Sequence, residues 1–411
     1  MQKILSKTAM SLFGNACAGA CEGALVTGAD YRGLGVIRSL GRRGVPVWVL
    51  NHASHLVGTV SRYATRTLRW PLDDARRQVE FLLELAATEK LKGWVLFPTD
   101  DEDVVLFARH HELLSAHYQL TTPPWEVVRW LCDKRLLYQL AKDLALERPW
   151  TFCPRNREEI VLLDCPFPVI LKPAMRVAFN RLSADKAWRF EDRASLLAGY
   201  DEACKLMDPE LLMIQEIVPG WGEAQFSFAA LCEDGSPVAS IVARRTRQFP
   251  MDFGRFSTYV ETIDEPQVVG PALRLLAAIR FTGLAEVEFK RDPRDGQLKL
   301  LDVNPRVWGW HTLSNRAGVD FPYLLWRLVR GESVPKVRGR SGERWMRMWT
   351  DFPMAIHEIL NGRLSLRSYL RCLRGKKESA IFAWDDPLPG LFELPLLAAM
   401  VGRRLLKGKG I

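Results

Sequence analysis

The chain has 411 residues, 48% of them apolar and 26% charged, an ordinary globular balance that excludes disordered and fibrous classes. That length leaves room for two or three domains with sizeable cores, and no apolar run approaches the roughly 20 residues that cross a bilayer. The net charge is +9, yet from Arg363 to Ile411 ten Lys/Arg face four Asp/Glu, so about two-thirds of the excess lies in the last stretch. Aromatics are not spread among these cations as in a nucleic-acid groove, so nucleic acid is not an expected partner. A solvated face is the plain expectation for this basic tail, and a peripheral membrane or protein contact the alternative.

The first residues, 1–22, pair Lys3 and Lys7 with small residues broken by Gly14 and Asn15. They lack the apolar centre of a signal peptide and are expected to be a flexible leader. Eight cysteines, at 17, 21, 132, 153, 165, 204, 232 and 372, show neither metal-ligand nor disulfide spacing. Reduced thiols in a cytoplasmic protein are the simplest reading.

Residues 24–50 read as strand, turn, helix, strand, followed by a helix at 73–90 and a strand at 93–97. Buried strands alternating with helices predict a parallel, doubly wound sheet closing near Pro123 and Pro124. The glycines at 28, 33 and 35 do not form the dinucleotide fingerprint, and Asn51 stands where an acidic residue would end the second strand, which disfavours NAD. The helix N-terminus beside them is an alternative site for an anion or small carboxylate.

Beyond Trp125 the pattern turns to mixed α+β with antiparallel hairpins. Glu233, Asp234, Gly235 and Ser236 join two long strands, and a second hairpin at 284–303 turns at Asp295 and Gly296. On that hairpin Asp302 and Asn304 share a face, and Glu288 on the neighbouring strand joins them. Two carboxylates and an amide oxygen on one face suit a hard cation such as Mg2+, or else form a solvated edge. Lys172 ends an apolar strand, Lys134 begins a helix, and Arg306 follows the acidic group, all placed to meet anionic charge. Arg244, Arg245 and Arg247 are read either as contacts for an acidic substrate or as surface charge. Trp308 and Trp310 wall a pocket or fill the core, and His311 is expected to be structural.

The order Lys134, Lys172, Gln215-Glu216-Ile217-Val218, Glu223, Glu288, Asp302, Asn304 and Arg306 resembles the ATP-grasp superfamily over residues 24–335. The segment 33–40, Ser61-Arg62-Tyr63 and the run 244–250 are similar to its carboligase and D-aspartate ligase-like branch. The resemblance implies an α/β plus α+β fold. It divides the chain into a leader (1–22), a Rossmann-like pre-ATP-grasp domain (23–124), a small lobe (125–214), a large lobe with the Mg site (215–335) and a basic C-terminal extension (336–411).

It also implies roles. Lys134 and Lys172 would contact ATP phosphates, the 215–218 strand would meet adenine, and Glu223 would take the ribose. Glu288, Asp302 and Asn304 would hold Mg2+ or Mn2+, Arg306 would serve catalysis, and Arg244 and Arg247 would face substrate. The implied activity is ADP-forming ligation of a carboxylate, through its acyl-phosphate, to an amine or other nucleophile, by a cytoplasmic homodimer. Many members cover the phosphates with a glycine-rich loop, whereas 174–183 here holds no glycine. A catalytically silent ATP-binding scaffold is therefore the second reading.

Overall fold

The computed structural model describes residues 23–51, 56–71, 74–175, 182, 187–249 and 256–394. The leader, most of the glycine-free loop and the end of the basic tail lie outside the described residues.

The first sheet is parallel throughout and runs in the order β3-β2-β1-β4-β5. Its strands are β1 (Ala24–Thr27), β2 (Val47–Asn51), β3 (Ala64–Arg69), β4 (Val95–Phe97) and β5 (Gln119–Leu120). The helices α1 (Tyr31–Gly41), α2 (Ala75–Thr88), α3 (Asp101–Arg109) and α4 (His111–Ser115) connect them. Continuous apolar runs such as Ala24-Leu25-Val26, buried on both faces, force this parallel arrangement because helices cover each side.

The glycines of α1 serve packing rather than a ligand. A side-chain carbon at Gly33 would strike the Gly28 carbonyl, and one at Gly35 would strike the His311 ring. The expected anion site at the α1 N-terminus is corrected by its own cap. Asp30 accepts from the amides of Arg32 (2.8 Å) and Gly33 (3.2 Å), so a carboxylate already faces the positive end of the helix.

Helices α5 (Trp125–Cys132) and α6 (Lys134–Asp143) lead into a four-stranded sheet in the order β6-β9-β7-β8. Its strands are β6 (Thr151–Phe152), β7 (Val169–Pro173), β8 (Trp188–Phe190) and β9 (Leu212–Glu216), packed on α7 (Arg157–Leu162) and α8 (Arg193–Cys204). The large sheet holds eight strands, ordered β14-β13-β10-β11-β12-β16-β17 with β15 beside β11. They are β10 (Gln225–Glu233), β11 (Ser236–Phe249), β12 (Phe256–Thr262), β13 (Gly283–Arg291), β14 (Leu298–Asn304), β15 (Val337–Arg338), β16 (Arg344–Met346) and β17 (Glu378–Ser379). The helices of this region are α9 (Val269–Ala278), α10 (Leu313–Ala317), α11 (Phe321–Val329), α12 (Met348–Leu360) and α13 (Leu366–Leu373).

Strands β15 to β17 belong to the large sheet, so residues 337–379 are woven into it rather than appended. One core runs from Val26 and Phe97 of the first sheet and Val36 of α1 to Ile241, Trp308, Trp310 and Phe321, fusing the first sheet to the large one. Trp308 and Trp310 are each 1% exposed and are core residues. The six described cysteines are free, and no described helix is long and apolar enough to cross a membrane.

Candidate functional site

The antiparallel register of β13 and β14 sets Glu288 opposite Asp302 and Glu286 opposite Asn304. Side chains at such facing positions lie about 5 Å apart, and the strand period of two brings all four to one face. Asn304 is the centre of this group. Its amide donates to Glu286 (3.0 Å) and Glu288 (2.9 Å), while its oxygen accepts from Arg306 (3.1 Å). Arg306 is buried and also donates to Asp101 (2.7 Å), the first residue of α3, so the first sheet supplies one wall.

Cations line the acidic face. Lys134, at the first position of α6, reaches Asp302 at 2.5 Å. Arg245 reaches Glu288 at 2.5 Å, and Gln225 donates to the same carboxylate at 2.8 Å. Lys172, at the end of β7, donates to Gln215 on the paired strand β9 at 2.7 Å. Burial alone would raise the Asp302 carboxyl, but Lys134 and then Lys172 outweigh it and hold the group below its usual value. Burial, and next the neighbouring Glu288, push Glu286 up to about 7, although Ser227 (2.9 Å) and the Trp310 indole (2.9 Å) both donate to it.

The expected adenine segment sits across from this group. The strand ends at Glu216, earlier than the expected 215–218. The Ile217 amide donates to the Pro168 carbonyl (3.3 Å), and the Val218 carbonyl accepts from Lys290 (2.8 Å). The Glu216 carboxylate is buried among the Trp150 amide (2.9 Å), Arg294 (2.7 Å) and Lys299 (3.0 Å). These donors outweigh its burial and hold it ionised. Glu223 is exposed on a single turn, Gly222–Ala224, just beyond.

The two arginines read as substrate contacts part company. Arg244 lies half-exposed against Glu261 (2.5 Å). Arg247 is corrected: it is 3% exposed, donates twice to Asp351 (2.9 Å each) and stacks on Tyr259 and Tyr369. A guanidinium so enclosed meets no substrate. Glu286 and Asp101 were missed, and Arg245, expected to meet substrate or solvent, pairs with Glu288. The alternation Glu286-Val287-Glu288 carried the signal for the first, since residues two apart on a strand share a face. Among the described residues, no three His, Cys, Asp or Glu side chains form a metal-holding group.

Lysines, acids and two arginines held between a four-stranded sheet and a large, mainly antiparallel sheet, with a parallel α/β sheet beside them, form the architecture of the ATP-grasp fold. Residues 208–348 match the family described as "ATP-grasp in the biosynthetic pathway with Ter operon". Among characterised relatives, D-aspartate ligase of Enterococcus faecium is 25% identical over 248 residues, covering 56% of this chain and 57% of that protein. The carbamoyl phosphate synthase large chain of Myxococcus xanthus is 22% identical over 332 residues, 75% of this chain but 29% of its own length. The chain thus spans little more than half of the first relative and under a third of the second. Among solved structures, L-amino acid ligase from Bacillus licheniformis superposes with a TM-score of 0.57 at 15% identity, covering 75% of this chain and 74% of that one. Biotin carboxylase from Campylobacter jejuni, solved as a β-γ-ATP complex, gives 0.61 at 16%, covering 77% and 73%. At such identities the likeness is one of fold.

Proposed function

We propose that the chain is an ATP-dependent ligase that activates a carboxylate as its acyl-phosphate and passes the acyl group to an amine, releasing ADP and phosphate. The observation that carries this reading is the convergence of Lys134, Asp302, Glu288, Asn304 and Arg306, drawn from α6 and the β13–β14 hairpin. Lys172 and Lys134 hold the nucleotide phosphates, and backbone groups of 215–218 and the Glu223 carboxylate take adenine and ribose. Asp302, Glu288 and the Asn304 oxygen are hard donors that suit Mg2+ or Mn2+. Mg2+ typically uses one or two protein carboxylates and completes its shell with phosphates and water, so Asp302 and Glu288 would suffice for a nucleotide-borne ion. When bound, the ion neutralises phosphate charge.

The chain's own residues do the rest. Lys134 gives up Asp302 and turns to phosphate; Arg306, fixed by Asp101, offers its guanidinium to the charge that develops on the acyl group as the amine attacks. Positioning and electrostatics supply most of the catalysis in phosphoryl transfer. Arg244 remains a substrate contact in this reading. The names of the relatives suggest amino acids as both acid and amine. The cytoplasm as location and a homodimer as assembly belong to the same proposal.

The test is ADP release measured with a matrix of amino-acid pairs. We expect release only with a matching acid and amine. Asp302→Asn and Lys172→Ala should lower it roughly a hundredfold or more, the scale of losing one transition-state contact. ATP binding with no turnover on any pair would instead favour the scaffold reading.

A further inference from the structure

Helix α12 presents an unusual face to water. Its buried residues, Asp351, Met354, Ala355 and Glu358, recur at the three- and four-residue spacing of an inward helix face. Both acids on that face are already balanced, Asp351 by Arg247 and Glu358 by Arg363 (2.9 Å). The outward face is apolar instead of polar: Trp349 is 42% exposed, Phe352 47%, Ile356 43% and Leu360 82%. Helix α13 follows the same plan, with Tyr369 buried beneath it and Leu366 (57%) and Leu370 (49%) exposed above. Arg247 unites the two helices, since it pairs with Asp351 of one and stacks on Tyr369 of the other.

The segment that closes α12 and carries α13 is charged with one sign. From Ile359 to Lys377 there are six Lys/Arg and no Asp/Glu, with Arg367 and Arg371 exposed beside Leu366 and Leu370. A contiguous apolar face on a water-borne protein marks an interaction site. An isologous contact with a second copy would set this cationic rim against itself. Exposed tryptophan and leucine edged by arginine match the chemistry of an anionic lipid interface, where the apolar side chains enter the headgroup boundary and the cations meet phosphates.

We propose that the outward faces of α12 and α13 form a docking surface for an anionic lipid bilayer, so that the chain works at a membrane without crossing it. This does not depend on the ligase reading.

The test is co-sedimentation of the full chain with vesicles of phosphatidylcholine alone and of an equal phosphatidylglycerol–phosphatidylcholine mixture. Binding is expected to the mixed vesicles only, and to weaken with added salt as the surface charge is screened. Two variants probe the two components: Trp349→Ser with Phe352→Ser, and Arg367→Glu with Arg371→Glu. All four side chains are exposed, and melting temperatures confirm folding. Each pair of substitutions should weaken binding roughly tenfold or more. Absence of binding to the mixed vesicles overturns the proposal, as does binding that both folded variants retain. Self-association in light scattering that the Trp349→Ser/Phe352→Ser variant abolishes would also overturn it, in favour of a second copy.

Discussion

Arg244, Arg245 and Arg247 lie within four residues, yet each meets a different carboxylate: Glu261, Glu288 and Asp351. An irregularity in the β11–β12 register between Arg244 and Arg247 breaks simple alternation, which is why the sequence shows one cluster and the fold three separate pairs. The Arg247–Asp351 pair is almost fully enclosed, so removing one partner leaves a buried charge unbalanced. Arg247→Ala is expected to cost about 3–5 kcal/mol in chemical denaturation, whereas an unchanged midpoint would return Arg247 to the surface. Burial also lowers His311, to about 4 from its ordinary 6.5, while its Nδ1 lies 2.8 Å from the Trp308 carbonyl. The unfolded chain therefore binds the extra proton first, and stability falls as pH drops from about 6.5 towards 4. His311→Asn should flatten the melting temperature over that window, and a curve of undiminished slope would contradict the assignment.

At the scale of elements, much was legible. The β13–β14 hairpin, the short buried strands of the first sheet and the lysine at the head of α6 follow from alternation, turn residues and run length, because these signals are local. The same alternation could have added Glu286 to the site. Asp101 could not be read, since its contact with Arg306 joins residues 205 apart in the chain. The Asp30 cap of α1 is a local signal that could have been read, but its glycines look like a ligand loop until His311 is placed. Gly35 illustrates the packing reason for them: an added methyl would run into the His311 ring and meet the Thr312 methyl at 2.7 Å. Gly35→Ala should therefore push α1 away from the His311–Thr312 segment and destabilise by about 1–3 kcal/mol in a denaturant titration, the range for overpacking. A neutral or stabilising result would mean that α1 sits further away.

On the scale of the whole molecule, the candidate site draws on all three sheets. Asp101 follows the first sheet, Lys172 and Gln215 lie on the four-stranded sheet, and Glu286, Glu288, Asp302 and Asn304 lie on the large one. A junction between sheets is a usual place for a ligand, and here the cations and acids balance one another. The order of motifs along the chain was enough to anticipate that Lys134, Glu288, Asp302, Asn304 and Arg306 converge, whereas contacts between distant segments, such as Asp101 with Arg306, were not legible in it. The measurement that bears most directly on the central reading is ADP release by the full chain with matched acid–amine pairs, compared between the parent and Asp302→Asn. The account expects pair-dependent release in the parent and a loss of roughly a hundredfold or more in the variant. Release that needs no acid or amine, or that Asp302→Asn leaves intact, would contradict it.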